Sequence, residues 1–174
     1  MDELIYRSVV DLAHAIREKE VSSETVVRAY LMRIEAVNPR LNAVVQLAAE
    51  QAITAAKEAD SALAKGDIKG VLHGVPMTIK DSLDTASVIS TGGTMGRAHF
   101  IPKKDATAVA RLKAEGAILM GKTNTPELTL SFETDNLVYG RTNNPYDLTR
   151  TSGGSSGGAA AIIASGGSPF DIWQ

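Results

Sequence analysis

The 174-residue sequence contains no cysteine, which excludes a disulfide framework and any thiolate chemistry and suits a reducing compartment. It also lacks a basic excess: 18 Lys and Arg stand against 20 Asp and Glu, a formal net charge of −2. That balance offers no electrostatic footprint for nucleic acid or for an anionic membrane surface. Long hydrophobic runs are missing too. The longest, residues 159–164, falls far short of the roughly 20 residues needed to span a bilayer. The opening Met1-Asp2-Glu3-Leu4-Ile5-Tyr6-Arg7 has neither a basic leader nor an apolar stretch behind it, so no secretory signal is expected. What remains is ordinary globular composition, 44% apolar and 22% charged. A single domain is expected, soluble and cytoplasmic.

The first third, residues 1–66, reads as mostly helical. Val9, Val10, Leu12, Ala13 and Ile16 recur at helical spacing. Ser22-Ser23-Glu24-Thr25 supplies a cap ahead of a second helix carrying Val26, Val27, Ala29, Tyr30, Leu31 and Ile34. Asn38-Pro39 is expected to stop it, because the residue before proline is pushed out of the α region. A short β-like run follows at 42–47, then an alanine-rich helix over 48–65 that Gly66 ends. From residue 67 the texture becomes strand, loop, helix, strand. A buried strand is expected at 75–79 and an irregular stretch at 82–104. Asp105 should cap a helix over 106–115, with the next strand at 117–120. Residues 123–154 read as loop, with one short helix starting at Pro126. The fold class is α/β, with a mixed, mostly parallel sheet layered with helices.

Three segments could carry chemistry. Gly153-Gly154-Ser155-Ser156-Gly157-Gly158 reads on composition as a flexible linker. The apolar helix expected directly behind it argues otherwise. A Gly/Ser loop opening a helix presents free N–H groups and hydroxyls where negative charge is stabilised. The segment also matches the G-x-S-x-G nucleophile elbow, but that arrangement needs a histidine downstream, and His14, His73 and His99 all lie upstream. A second pattern, Gly116 to Thr123, fits G-x-x-x-x-G-K-[ST]. Here a helix precedes and the intervening apolar residues are themselves a strand, so no peptide cradle exists to wrap a phosphate. Lys122 is therefore expected to bind no nucleotide, and replacing it to have little effect. The third segment is Gly74-Val75-Pro76-Met77-Thr78-Ile79-Lys80-Asp81. A lysine at the end of an apolar strand is commonly a surface residue reaching for water. Buried at a sheet edge it can instead lose its proton near neutral pH and work with serine hydroxyls as a relay without histidine.

Together with Thr91-Gly92-Gly93-Thr94, Gly121-Lys122-Thr123-Asn124-Thr125-Pro126-Glu127 and Thr151-Ser152 ahead of the Gly/Ser loop, these segments resemble the amidase signature family. The four motifs occur in the family's order across residues 74–158. The resemblance implies hydrolysis of carboxylic amide C–N bonds by a Ser–cis-Ser–Lys triad, without metal or cofactor, acting on a small-molecule amide. Carried over by position, Lys80 matches the triad lysine and Ser155 the central serine, whose preceding peptide bond is cis. Ser156, Gly153 and Gly154 match supporting positions, and Thr123 and Asn124 a substrate-side loop. These motifs do not exclude one component of an amidotransferase, although the net charge gives a tRNA surface no support.

The family's nucleophilic serine lies about two dozen residues past the central one, in a segment that also forms the oxyanion hole. That places it past Gln174. Ser168 comes too early and is followed by Pro169, so it is not taken as the nucleophile. The expectation is an incomplete amidase-signature domain over 1–174, inactive alone and able to self-associate through exposed sheet edges. The alternative is a non-enzymatic fragment that binds a ligand or partner.

Overall fold

Two serines begin the first two helices. In the computed structural model, which describes residues 4–173, Ser8 accepts the Asp11 N–H at 3.1 Å and opens α1 (Val9–Arg17). Ser22 accepts the Thr25 N–H at 3.0 Å and opens α2 (Ser23–Leu41). Each bond satisfies a donor that a helix start leaves without an intrahelical partner. The leader reading rests partly on Met1-Asp2-Glu3, which lie outside the described residues, as does Gln174.

α2 does not stop at Asn38-Pro39 as its sequence suggests; Pro39 sits inside it. Near a helix end the missing proline N–H removes a single bond, and the terminator comes three residues later. Asn42 takes the left-handed conformation (φ 52°, ψ 45°) and returns its N–H to the Asn38 carbonyl. The Asn38 side chain, rather than its backbone, contributes to the stop. Its Oδ1 accepts the Ala43 and Val44 N–H groups and its Nδ2 donates to the Val44 carbonyl at 2.9 Å.

The chain continues through β1 (Val44–Leu47), α3 (Ala49–Ala64), β2 (Pro76–Lys80), α4 (Thr107–Ala114), β3 (Ile118–Thr123), α5 (Gly157–Ala164) and β4 (Asp171–Ile172). The sheet order is β1-β3-β2-β4, with β2 parallel to β3 and β4 and β1 antiparallel to β3. This is the mixed, mostly parallel α/β sheet that the alternating elements imply. β1, from the helical first third, is one of its strands, so both parts of the chain share one sheet.

Alternation through residues 117–120, leading into β3, sorts the core into two layers. On one face Val75, Ile118 and Met120 pack with Leu12, Ile16, Val26, Tyr30 and Ile34 of α1 and α2 and with Ile162 of α5. On the other, Met77 and Ile79 pack with Val109 of α4 and with Leu83, Leu112, Leu119 and Ile172. Fully burying one such side chain contributes about 1.5–3 kcal/mol. β3 carries an irregularity: Met77 pairs with Leu119 but Thr78 with Gly121. The extra residue, Met120, joins the first core, and the pairs Ile79–Lys122 and Lys80–Thr123 follow in register.

Three further details differ from the sequence reading. Asp105 does not cap α4. The cap position is Ala106, and the Asp105 carboxylate instead accepts the Ala86 N–H at 2.8 Å and pairs with Lys113 at 2.8 Å. β3 runs on to Thr123, beyond the four residues expected, because Gln46 and Val44 of β1 pair with its last residues. The short helix expected at Pro126 is a single 3₁₀ turn, Glu127–Thr129. No helix among the described residues is long and apolar enough to cross a membrane.

Candidate active site

β2 carries Lys80 at its C-terminal end, on the face covered by α5. The side chain is 0% exposed, and its Nζ lies 2.7 Å from Ser155 Oγ and 3.0 Å from Ser156 Oγ. Residues 75 positions apart in sequence thus meet, because a parallel sheet edge and the loop before α5 converge there. Burial pushes the Lys80 amine below the ordinary lysine range, while the Asp171 carboxylate draws it partly back. The partial positive charge at the start of α5 also disfavours an ammonium at this point.

The serine loop is held by hydroxyls that the sequence does not single out. Thr134 Oγ1 donates to the Gly153 carbonyl at 2.8 Å and accepts the Gly157 N–H at 2.9 Å, so it clamps both ends of the loop. Thr125 Oγ1 donates to the Ser155 carbonyl at 3.1 Å. The Gly154–Ser155 peptide bond is cis. Gly154 is exposed, and Ser155 and Ser156 are half-buried. Beside them opens a largely apolar cleft of about 550 Å³, lined by Ser152, Gly154, Ser156, Ala160, Ile163 and Trp173. A buried amine hydrogen-bonded to a hydroxyl, next to an open cleft, can pass a proton to and from a group bound in that cleft.

Thr123 and Asn124, matched by resemblance to a substrate-side loop, are both 0% exposed. Thr123 Oγ1 donates to Asp171 Oδ2 at 3.0 Å. Asn124 spends its amide on the Gly140 carbonyl and Thr142 Oγ1, and its Oδ1 accepts from the Thr125 N–H and from Asn136 Nδ2. Both therefore brace the wall behind the cleft. α5 packs directly on that wall: a Cβ on Gly158 would sit 2.6 Å from the Asn124 carbonyl oxygen and 2.9 Å from the Ala43 carbonyl oxygen. Gly158→Ala is expected to destabilise the fold by about 1–3 kcal/mol. A lowered urea midpoint with an unchanged slope would register it, and an unchanged midpoint would refute the close approach.

Lys122 is as deeply buried as Lys80 and is not a surface residue of a stray pattern. It points to the opposite face of the sheet, where its Nζ donates to the Leu83 carbonyl, to Thr85 Oγ1 at 2.8 Å and to Ser90 Oγ at 3.3 Å. Burial pushes it down to about 8, against the pull of Asp81, Asp84 and Asp171. The phosphate-loop pattern fails structurally as expected, since α4 precedes Gly116 and the middle residues form β3. The sequence leads one to expect that replacing Lys122 does little to turnover; its burial and its three acceptors make a loss of stability the expected effect.

Ser168 is 2% exposed, donating to the Phe170 carbonyl at 2.7 Å and accepting from Thr78 Oγ1 at 3.0 Å. His73 is likewise engaged: its Nδ1 accepts the Lys69 N–H, and its Nε2 lies 3.0 Å from the Ala59 carbonyl oxygen. Among the described residues no group of three or more His, Asp or Glu could hold a metal ion.

The family model described as Amidase matches residues 25–172. Over 172 residues the chain is 42% identical to a glutamyl-tRNA(Gln) amidotransferase subunit of Acidothermus cellulolyticus, covering 99% of this chain and 34% of that protein. It is 46% identical to the indoleacetamide hydrolase of Bradyrhizobium diazoefficiens over 159 residues, covering 91% of this chain and 30% of the relative. Among solved structures, a fatty acid amide hydrolase superposes with a TM-score of 0.93 at 29% identity, over 97% of this chain and 30% of that one. The chain spans about a third of the length of the curated relatives it matches.

Proposed function

The chain belongs to the amidase family, and from that premise we propose that it carries the lysine–serine proton relay of an enzyme that hydrolyses the C–N bond of small-molecule carboxylic amides. The observation that carries this reading is the 2.7 Å contact between the buried Lys80 amine and Ser155 Oγ. Neutral Lys80 takes the Ser155 hydroxyl proton as Ser155 takes one from an attacking serine hydroxyl. The serine oxygen adds to the amide carbon, the C–N bond breaks, and the relayed proton returns to the leaving amine nitrogen; water, giving up its proton along the same relay, then cleaves the acyl-serine ester, releasing the carboxylic acid and restoring the serine hydroxyl. Ser156, the second hydroxyl on Lys80, keeps the amine aimed along the relay. Gly153 keeps the loop bare, Gly154 admits the Phe132–Glu133 backbone to within 2.8 Å of where a Cβ would sit, and Thr123 and Asn124 brace the rear wall of the cleft. By resemblance, the attacking hydroxyl belongs to a segment outside the 174 residues. Self-association through the sheet edges β1 and β4 is part of the same reading.

The test joins residues 1–174 to the remaining two-thirds of the Acidothermus cellulolyticus relative, which supplies that segment. The fused protein is expected to hydrolyse simple amides and to react with a fluorophosphonate. The 174-residue chain alone is expected to do neither. A fluorophosphonate adduct on Ser155 or Ser168 of the isolated chain would overturn this division of roles, as would a folded but inert fusion.

A further inference from the structure

β4 is only two residues long, yet it brings a carboxylate to the face of the sheet that holds the relay. Asp171 pairs with Thr78 in parallel register, which directs its side chain to the same face as Thr78 and Lys80, while Ile172 joins Ile79 in the opposite core. Asp171 is 8% exposed, and its Oδ2 accepts the Thr123 hydroxyl at 3.0 Å. Its Oδ1 is buried without a hydrogen-bond partner. An acid this deep, on the strand next to a buried amine, is costly unless its charge has a counterpart.

We propose that Asp171 is a positioning residue for the relay, an anionic counterpart that tunes how readily the Lys80 amine gives up its proton. This rests on the proposed role of Lys80 as the base. Thr123 fixes the carboxylate, Thr78 beside it packs against Ser168, and the Lys80 backbone N–H also faces it. Among the described residues, two cations act on the carboxylate. From β2 comes Lys80 itself, and from β3 the Lys122 ammonium, acting from the far face of the sheet. The loop before α5 contributes the Ser155 and Ser156 hydroxyls. Burial pushes Asp171 up to about 6, opposed by the Thr78 and Thr123 hydroxyls. Above that pH the carboxylate is an anion and holds the proton on Lys80 more tightly. Removing the anion should free the amine at lower pH.

The measurement is a carbon-13 NMR titration of the lysine side chains in the 174-residue chain, with Lys80 assigned by its loss in Lys80→Met. Asp171→Asn keeps shape and hydrogen-bonding oxygen while removing the charge. It is expected to lower the Lys80 midpoint by about one pH unit. Because coupling is reciprocal, Lys80→Met should raise the Asp171 carboxyl midpoint by the same amount. A purely structural role for Asp171 would alter stability and leave the Lys80 midpoint unmoved, and that result overturns the proposal. Thr123→Val, which frees the carboxylate without removing it, gives a smaller displacement in a variant that keeps its charge.

The fused protein separates this inference from the one beneath it. In Asp171→Asn the rising limb of its pH–rate profile is expected to move to lower pH by the same displacement as the Lys80 midpoint. A displaced Lys80 midpoint with an unmoved rate profile would leave the Asp171 coupling intact and sink Lys80 as the base.

Discussion

Replacing Lys80 by alanine in the fused protein is expected to lower amide turnover by about 10⁴–10⁶-fold, the scale seen when one member of a cooperating catalytic unit is lost. Ser155→Ala should fall in the same range, and the double variant should be scarcely worse than either single one, since the two groups act as one path for one proton. Because Lys80 is fully buried, alanine there also opens a cavity. Lys80→Met is therefore the cleaner comparison: it fills the space and removes the amine. The loss should appear in kcat, with KM little changed, because the amine acts in proton transfer and does not line the apolar cleft. The pH dependence follows from the direction of the Lys80 shift. Burial favours the neutral amine, so activity should rise from neutral toward alkaline pH and level off below the ordinary lysine range. Activity that stays flat down to acidic pH, or a Lys80→Met variant with near-normal kcat, would overturn the relay.

How much of this is legible in the sequence depends on how far apart the interacting groups lie along the chain. Lys80 and Ser155 can be named because each closes a local signal: an apolar strand ending in a lysine, and a Gly/Ser loop opening an apolar helix. Those two signals also set the alternating order of strands and helices, and with it the parallel core of the sheet. Thr125 and Thr134 cannot be named in this way. Their hydroxyls bond to loop carbonyls and an amide 19 to 30 residues away, and nothing in a threonine's neighbours announces a distant partner. The end of α2 is hidden because the proline after Asn38 suggests a stop in the backbone, whereas the Asn38 side chain caps the following turn. Asp171 is invisible as a site residue for a different reason. A two-residue strand has no period, so the face its side chain takes is set only by its pairing with Thr78.

Lys122 is hard to judge from sequence for a related reason. If β3 ended at residue 120, Lys122 would fall in a loop and be dispensable; continued to Thr123, the strand network buries both lysines and sends them to opposite faces. The expected consequence is large. Lys122→Ala removes a fully buried side chain, a change that typically costs about 2–5 kcal/mol through the cavity left behind. It also removes the lysine donor from the Thr85 hydroxyl, adding about 1–3 kcal/mol, while the Leu83 carbonyl keeps the Thr85 hydroxyl and Ser90 Oγ keeps the Thr85 N–H. Loss of the buried charge relieves part of this, so a net destabilisation of several kcal/mol is expected, enough to unfold a domain of ordinary stability. Lys122→Met fills the cavity and should fall between wild type and alanine. The charge contribution can be read separately through pH. A lysine at about 8 in the folded chain and about 10.5 unfolded binds more protons unfolded across that interval. Wild-type stability should therefore gain about 3 kcal/mol as pH rises from 8 toward 10.5, and lose it again as pH falls. In Lys122→Met that contribution is absent. Urea unfolding of both proteins across this range measures the difference directly. Parallel pH dependences would show that Lys122 is not buried as a titrating amine, and a Lys122→Ala variant as stable as wild type would show that its three acceptors do not need it.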